Sequence, residues 1–427
     1  MKLDALFDYQ RIARATPREV TLLLRLTAPP ATRTDRTPLN LAVIVDRSGS
    51  MDGEKLSHTR KAIQTLITHL DAQDRLCVVL FDTHVETLLP PTPVQDKDAL
   101  KTIVNRIESG SATNLSGGWL QGIRLLSESA APDRINRCLL LTDGQANQGL
   151  TDPPRLAHLG RSAREKSNIV TTTLGFGEDF NEDLLTAMAR EAGGSFYFVD
   201  TPEQAPAIFA EELSGLLELA AQNVEVVLHP GPATLRVEQW TGYPASQSGQ
   251  DIAFRLGDAY AGETKNLLLR LHLDALTEIG KAGVASITVQ FDEMTRDAVK
   301  SKRLTDTVYV EVADGVDDAP PCLEVLREYA LQRSARARDR AVEAADRGDH
   351  ETAKGVLREV VEELQQIPDP DAILAEEIAD LQVQASQWNE AQYTTTRKMM
   401  RESSFSTATG RNTQARAARE RRRPPKA

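Results

Sequence analysis

The chain has 427 residues, 41% of them hydrophobic and 26% charged, with a formal net charge of −12. That length exceeds one ordinary core and predicts roughly two to four domains, and the acidic balance argues against general nucleic-acid affinity. Three scattered cysteines, Cys77, Cys138 and Cys322, exclude a disulfide framework or a cysteine zinc site; no apolar run approaches the ~18 residues of a membrane span, and Met1-Lys2-Leu3-Asp4 leads into no signal-peptide core, so the cytoplasm is the expected compartment.

In chain order, residues 1–37 hold one alternating run, Glu19-Val20-Thr21-Leu22-Leu23-Leu24-Arg25-Leu26, which predicts a strand without a core of its own. From 38 to 221 strands and helices alternate. Apolar runs at 41–45, 76–81, 138–141, 169–175 and 195–199 are separated by amphipathic stretches at 56–70, 115–126, 184–192 and 205–219. That pattern predicts a mostly parallel sheet covered on both faces. Residues 222–313 hold short, partly alternating strands at 223–228, 235–239, 252–256, 267–273, 285–291 and 307–312, with Gly, Pro and Asp between them. They predict an antiparallel β-sandwich into which the N-terminal strand pairs, the α/β segment being inserted between. Residues 320–400 turn helical. Leu357, Val360, Val361, Leu364 and Ile367 share one helical face; Leu374, Ile378, Leu381, Ala385 and Trp388 form a second seam. Gly348 ends the first helix, Asp349 caps the second, and Pro368 and Pro370 precede the third, giving a three-helix array. Residues 401–427 carry eight Lys/Arg against two Glu and few large apolar groups, the composition of a disordered basic tail.

The chemistry-bearing residues fall at strand ends. Asp46, Ser48 and Ser50 follow the run at 41–45, Asp143 follows the run at 138–141, and Thr113 lies in the loop Gly110-Ser111-Ala112-Thr113-Asn114-Leu115. In an open α/β sheet the loops at strand C-termini converge on one crevice. Two carboxylates and three hydroxyls brought together there are hard oxygen donors, suited to Mg²⁺, with Mn²⁺ or Ca²⁺ as alternatives. Taken singly, each element has a plainer reading: Asp46 as a strand-end cap, Ser48 and Ser50 as turn formers. Arg47 either points away as a surface residue or approaches an incoming carboxylate.

Asp-x-Ser-x-Ser at 46–50, the distant Thr113 and the distant Asp143 together resemble the metal-ion-dependent adhesion site of von Willebrand factor type A (VWA) domains. Ser50-Met51-Asp52-Gly53, Thr173-Leu174-Gly175-Phe176-Gly177, Asn181-Glu182-Asp183-Leu184-Leu185 and Gly193-Gly194-Ser195-Phe196-Tyr197-Phe198 extend the resemblance over 38–221. The flanking strands are loosely similar to those of inter-α-trypsin-inhibitor heavy chains and related bacterial VWA proteins. The resemblance implies a doubly wound α/β domain whose metal is held directly by Ser48, Ser50 and, when the site is engaged, Thr113. Asp46 and Asp143 then act mostly through bound water. It also implies a protein partner that offers Asp or Glu to the metal, and in bacteria VWA proteins of this look often work with AAA+ ATPases.

Catalysis finds little support in the residues. No Gly-x-Ser-x-Gly elbow surrounds Ser48 or Ser50, the seven histidines show no metal-ligand spacing, and no Gly-x4-Gly-Lys-Ser/Thr loop is present. A non-enzymatic, Mg²⁺-dependent interaction module is the leading expectation. The first alternative is a metal-dependent phosphoester hydrolase. The second is a nucleic-acid-linked function through the basic tail, whose one aromatic, Phe405, gives no stacking platform.

Overall fold

A computed structural model of the protein describes residues 1–30, 37–131, 134–145, 147–294, 299–314 and 321–411. Three strands open the chain: β1 (Lys2–Phe7), β2 (Arg11–Ala13) and β3 (Arg18–Thr27). An α/β segment follows, with β4 (Leu39–Asp46), α1 (Glu54–His69), β5 (Arg75–Phe81), β6 (Val85–Pro93), α2 (Lys97–Val104), α3 (Leu115–Glu128), β7 (Ile135–Thr142), α4 (Pro153–Ser167), β8 (Ile169–Phe176), α5 (Glu182–Ala192), β9 (Phe196–Val199) and α6 (Ala205–Leu217). Strands return as β10 (Leu219–Pro230), β11 (Thr234–Gln239), β12 (Ala245–Ser248), β13 (Asp251–Tyr260), β14 (Thr264–Leu273), β15 (Gly280–Met294) and β16 (Val299–Ala313). Among the described residues four helices follow: α7 (Leu323–Asp346), α8 (His350–Leu364), α9 (Ala372–Ser386) and α10 (Tyr393–Ala408). The chain divides into two compact units, one of residues 32–219 with 294–300, the other of 1–31, 220–293 and 301–427.

In the first unit six strands lie in the order β6-β5-β4-β7-β8-β9, all parallel except β6. Every residue of β4, β7 and β8 is buried. This is why they read as unbroken apolar runs: a parallel strand covered by helices on both faces has no solvent side to alternate toward. The chain leaves β4 toward β5 on one side and returns to β7 on the other. The carboxyl ends of β4 and β7 therefore flank a topological switch point, where open sheets of this kind form their crevice. Helix α3 sits close against the sheet because two of its glycines carry no side chain there. A Cβ on Gly122 would lie 2.4 Å from Ile44 Cδ1, and one on Gly118 would lie 2.5 Å from Phe81 Cδ1.

In the second unit two sheets, β1-β3-β14-β11 and β12-β13-β10-β15-β16-β2, contribute to one apolar core. Leu22, Leu24, Leu267 and Leu269 reach it from the first sheet; Val226, Leu228, Ile287 and Val310 reach it from the second. The N-terminal strands take part in both sheets. β3 pairs antiparallel with β14 over ten residues and β2 pairs parallel with β16. The C-terminal helices have a core of their own, built on Leu357, Val360, Leu364, Leu374 and Leu381. Asp349 caps α8 by accepting from Thr352 N at 3.0 Å, and the preceding Gly348 has φ of +82°, the left-handed turn that glycine permits.

The fold class is the expected one: a mostly parallel α/β sheet, further antiparallel sheets and a C-terminal helical region. Among the described residues the helical array holds four helices rather than three. The basic tail does not begin at 401, because α10 continues to Ala408 with Phe405 buried; residues 412–427 of the expected tail lie outside those described. Among the described residues no helix is long and apolar enough to cross a membrane.

Candidate metal centre

The crevice beside β4 gathers all five sequence-named residues. Asp46 ends β4; Ser48 lies just before, and Ser50 within, the 3₁₀ turn Gly49–Met51; Asp143 follows β7 directly; Thr113 stands one residue before Asn114, which caps α3 by accepting from Gly117 N at 3.0 Å. Backbone hydrogen bonds tie these loops together. Arg47 N donates to Phe81 O at 2.9 Å, Gly49 N to Ser111 O at 3.0 Å, and Asn114 N to Asp82 O at 2.8 Å.

Side chains then link the donors. Ser48 and Ser50 hydroxyls stand 3.2 Å apart, and Ser50 donates to Asp143 Oδ1 at 2.7 Å. Asp46 Oδ1 accepts from Ser48 N at 2.8 Å and Asp46 Oδ2 accepts from the Thr142 hydroxyl at 2.6 Å. Gly144 borders both halves: a Cβ there would lie 3.2 Å from Thr113 Oγ1 and 3.9 Å from Asp46 Oδ2. Thr113 N in turn donates to Asn147 Oδ1 at 3.2 Å. Asp46, Ser48, Thr113 and Asp143 are buried, and only Ser50 is exposed.

Two buried carboxylates so close together are costly without a counter-charge. Burial pushes the Asp46 carboxyl up to about 6; hydrogen bonds from Thr142 and Ser48 oppose the shift, and the neighbouring Asp143 charge adds to it. Among the described residues no three His, Cys, Asp or Glu side chains gather as a metal cluster. The centre is instead two carboxylates with three hydroxyls. That donor chemistry fits a hard divalent cation that keeps part of its water, and lacks the soft ligands of zinc or copper sites.

The contacts of two neighbours, Thr142 and Lys55, were not evident in the sequence, and a third neighbour is Arg47. Thr142 holds Asp46, as described. Lys55, in the first turn of α1, places Nζ 2.5 Å from Asp143 Oδ2. Arg47, whose direction the motif leaves open, turns to Asp82 at 3.0 Å and Glu86 at 2.8 Å. A signal for Lys55 does exist: a lysine in a first helical turn opposes the helix dipole and asks for an acidic partner.

Residues 40–211 match the family model of the von Willebrand factor type A domain. The uncharacterized protein sll0103 of Synechocystis sp. is 29% identical over 267 residues, which is 60% of this chain and 62% of that protein. Inter-alpha-trypsin inhibitor heavy chain H3 of Mesocricetus auratus is 32% identical over 237 residues, covering 52% of this chain and 26% of that one. The chain thus spans less than two thirds of the length of these relatives. Among solved structures, a von Willebrand factor type A protein from Catenulispora acidiphila superposes with a TM-score of 0.68 at 19% identity, over 93% of this chain and 89% of that chain. The ArnB paralog VWA2 from Sulfolobus acidocaldarius does so with a TM-score of 0.60 at 17% identity, over 96% and 98%. Both likenesses are of fold, and both extend beyond the α/β unit. Residues 40–211 of the chain thus match a von Willebrand factor type A domain, and the remainder lies outside that match.

Proposed function

We propose that this protein is a non-enzymatic interaction module that binds Mg²⁺ through Asp46, Ser48, Ser50, Thr113 and Asp143, and through the bound ion captures an Asp or Glu side chain of a partner protein. The observation that carries the reading is the pairing of two buried carboxylates with three hydroxyls at the sheet's switch point. Neutral hydroxyls next to the ion leave it short of negative charge, and an anionic oxygen from outside completes its shell. Mn²⁺ or Ca²⁺ satisfies the same oxygen donors with different size and rigidity.

Binding rather than turnover is favoured by how the acids are engaged. All four carboxylate oxygens already accept a hydrogen bond, from Ser48 N, Thr142, Ser50 and Lys55. None is held out toward a substrate as a general base. In this reading the partner is a protein, an AAA+ ATPase being the leading class, and the working compartment is the cytoplasm, where thiols such as the unpaired Cys77, Cys138 and Cys322 stay reduced.

The test is affinity capture from a cell lysate with the full chain, in Mg²⁺ and in EDTA, with mass spectrometry of the difference. Partners retained by the wild type in Mg²⁺ and lost both in EDTA and with Asp46→Ala support the proposal. An identical set of captured proteins in all three conditions overturns it.

A further inference from the structure

Among the described residues, two cationic side chains come from the loop and helix that follow β4 at the candidate centre, and they are disposed oppositely. Arg47 lies within the Asp-x-Ser-x-Ser turn itself, yet its guanidinium is committed away from the centre to Asp82 and Glu86. Lys55 lies five residues beyond Ser50, and its ammonium is delivered to Asp143 Oδ2 at 2.5 Å while Ser50 occupies Oδ1 at 2.7 Å. The lysine comes from the first turn of α1, after Gly53 has turned the chain at φ of +78°. Its stem passes Gly177, where a Cβ would stand 3.7 Å from both Lys55 Cε and Nζ. Asp143 is fully buried and the Lys55 side chain is 27% exposed, so the pair sits at the wall of the crevice with its acidic half sealed from water.

The sign of the charge decides what such a lysine does. Two ionised carboxylates alone would neutralise a divalent cation, and a neutral centre has little pull on an anion. With one ammonium fixed on Asp143, the acids present a single net negative charge, and the cation-loaded centre keeps a net positive one. A like charge held this close also opposes the cation itself, in a site screened only in part by solvent.

We infer that Lys55 is a positioning and charge-setting residue that weakens cation binding at this centre and in exchange keeps the loaded centre attractive to a carboxylate ligand. The inference rests on the metal-binding reading above and adds to it a trade-off of opposite signs. A purely structural lysine would not produce that pattern, since its loss would loosen the crevice and weaken both steps.

The experiment uses the full chain and Mn²⁺ as probe, with free Mn²⁺ followed by electron paramagnetic resonance. Titrations in chloride and in added acetate compare the wild type with Lys55→Gln, Lys55→Arg and Asp46→Ala, each first shown to melt cooperatively. Lys55→Gln should bind Mn²⁺ on the order of tenfold more tightly in chloride, and the gain in Mn²⁺ affinity brought by acetate should shrink or vanish. Lys55→Arg, which keeps the charge, should restore the wild-type ordering. Weaker Mn²⁺ binding in Lys55→Gln, or an undiminished acetate effect, overturns the role given to Lys55. Failure of the underlying reading is separately visible: Asp46→Ala would then bind Mn²⁺ as the wild type does.

Discussion

Thr142 shows how much a single hydroxyl carries in the α/β unit. It is the last residue of β7, buried, and its hydroxyl donates to Asp46 Oδ2 at 2.6 Å while accepting from Gly144 N at 3.2 Å. A buried carboxylate that loses a donor bears the full cost of its desolvation, since no water replaces the bond. Thr142→Val keeps the branched shape and removes the bond to Asp46 together with the acceptor for Gly144 N. It should lower stability by about 1–3 kcal/mol in urea denaturation followed by circular dichroism in EDTA, and Mg²⁺ should recover part of the loss by offering Asp46 another positive partner. A variant as stable as the wild type would mean that Asp46 finds its second donor elsewhere. In the sequence Thr142 stands beside Asp143 without a role of its own, because a threonine at a buried strand end reads as an ordinary β-former. The five site residues were legible for a different reason. Four of them sit at or just beyond strand ends, which apolar runs reveal, and Thr113 lies in the loop before α3, whereas the contacts of Thr142 and Lys55 depend on side-chain directions that only the folded loops define.

At the scale of elements, the join between α7 and α9 is the least forgiving. Arg338 is fully buried on α7 and spreads its guanidinium over three side chains of α9: Glu377, Asp380 at 2.9 Å and Gln384 at 3.0 Å. Ser334, one turn earlier, also donates to Glu377. Removing one member of such a pair strands the other charge in the interior, which costs about 3–5 kcal/mol, although replacing both by apolar groups is often neutral. Arg338→Met should therefore destabilise the chain by about that amount in a thermal or urea melt. Arg338→Met combined with Glu377→Leu should recover most of it, and a double variant no better than the single one would show that the two residues act independently. The same elements show where sequence reading stops. Strand β6 carries Pro90 and Pro91 and is tolerated because it lies at the sheet edge, paired only to β5. Helix α4 opens on Pro153-Pro154 after its Asp152 cap and buries only Leu156, Gly160, Ala163 and Arg164, too sparse an apolar face to register as periodicity.

At the scale of the whole molecule, the end of α10 overturns the expectation that residues beyond 400 contribute little. Glu402, Ser403, Ser404, Phe405, Ser406 and Thr407 are all buried. Small hydroxyl residues conceal this burial from a hydropathy reading, because they enter the interior by hydrogen bonding rather than by apolar surface. Ser404 donates to Ala335 O at 3.2 Å and to Asp339 Oδ2 at 2.8 Å, Arg401 pairs with Asp339 at 2.7 Å, and Gln332 Nε2 donates to Thr407 O at 3.2 Å. The helix end also meets the sandwich: Gly242 N donates to Ala408 O at 2.7 Å, and a Cβ on Gly242 would lie only 2.8 Å from Ala408 Cβ. One helix thus closes against α7 and against the segment between β11 and β12. Phe405→Ala removes the one large apolar group of this end, and core phenylalanine truncations cost about 3–5 kcal/mol. It should lower the melting transition of the unit containing the sandwich and the helices by on the order of 10 °C, read by calorimetry on the full chain. Truncation after Met400 should lower it at least as far, since it removes Phe405 together with the Ser404, Arg401 and Thr407 hydrogen bonds. The transition of the α/β unit, whose core holds no residue of α10, should move little in both variants. If neither variant shifts the melt, the end of α10 contributes nothing to the folded unit, and the hydroxyl contacts to α7 carry no net stability.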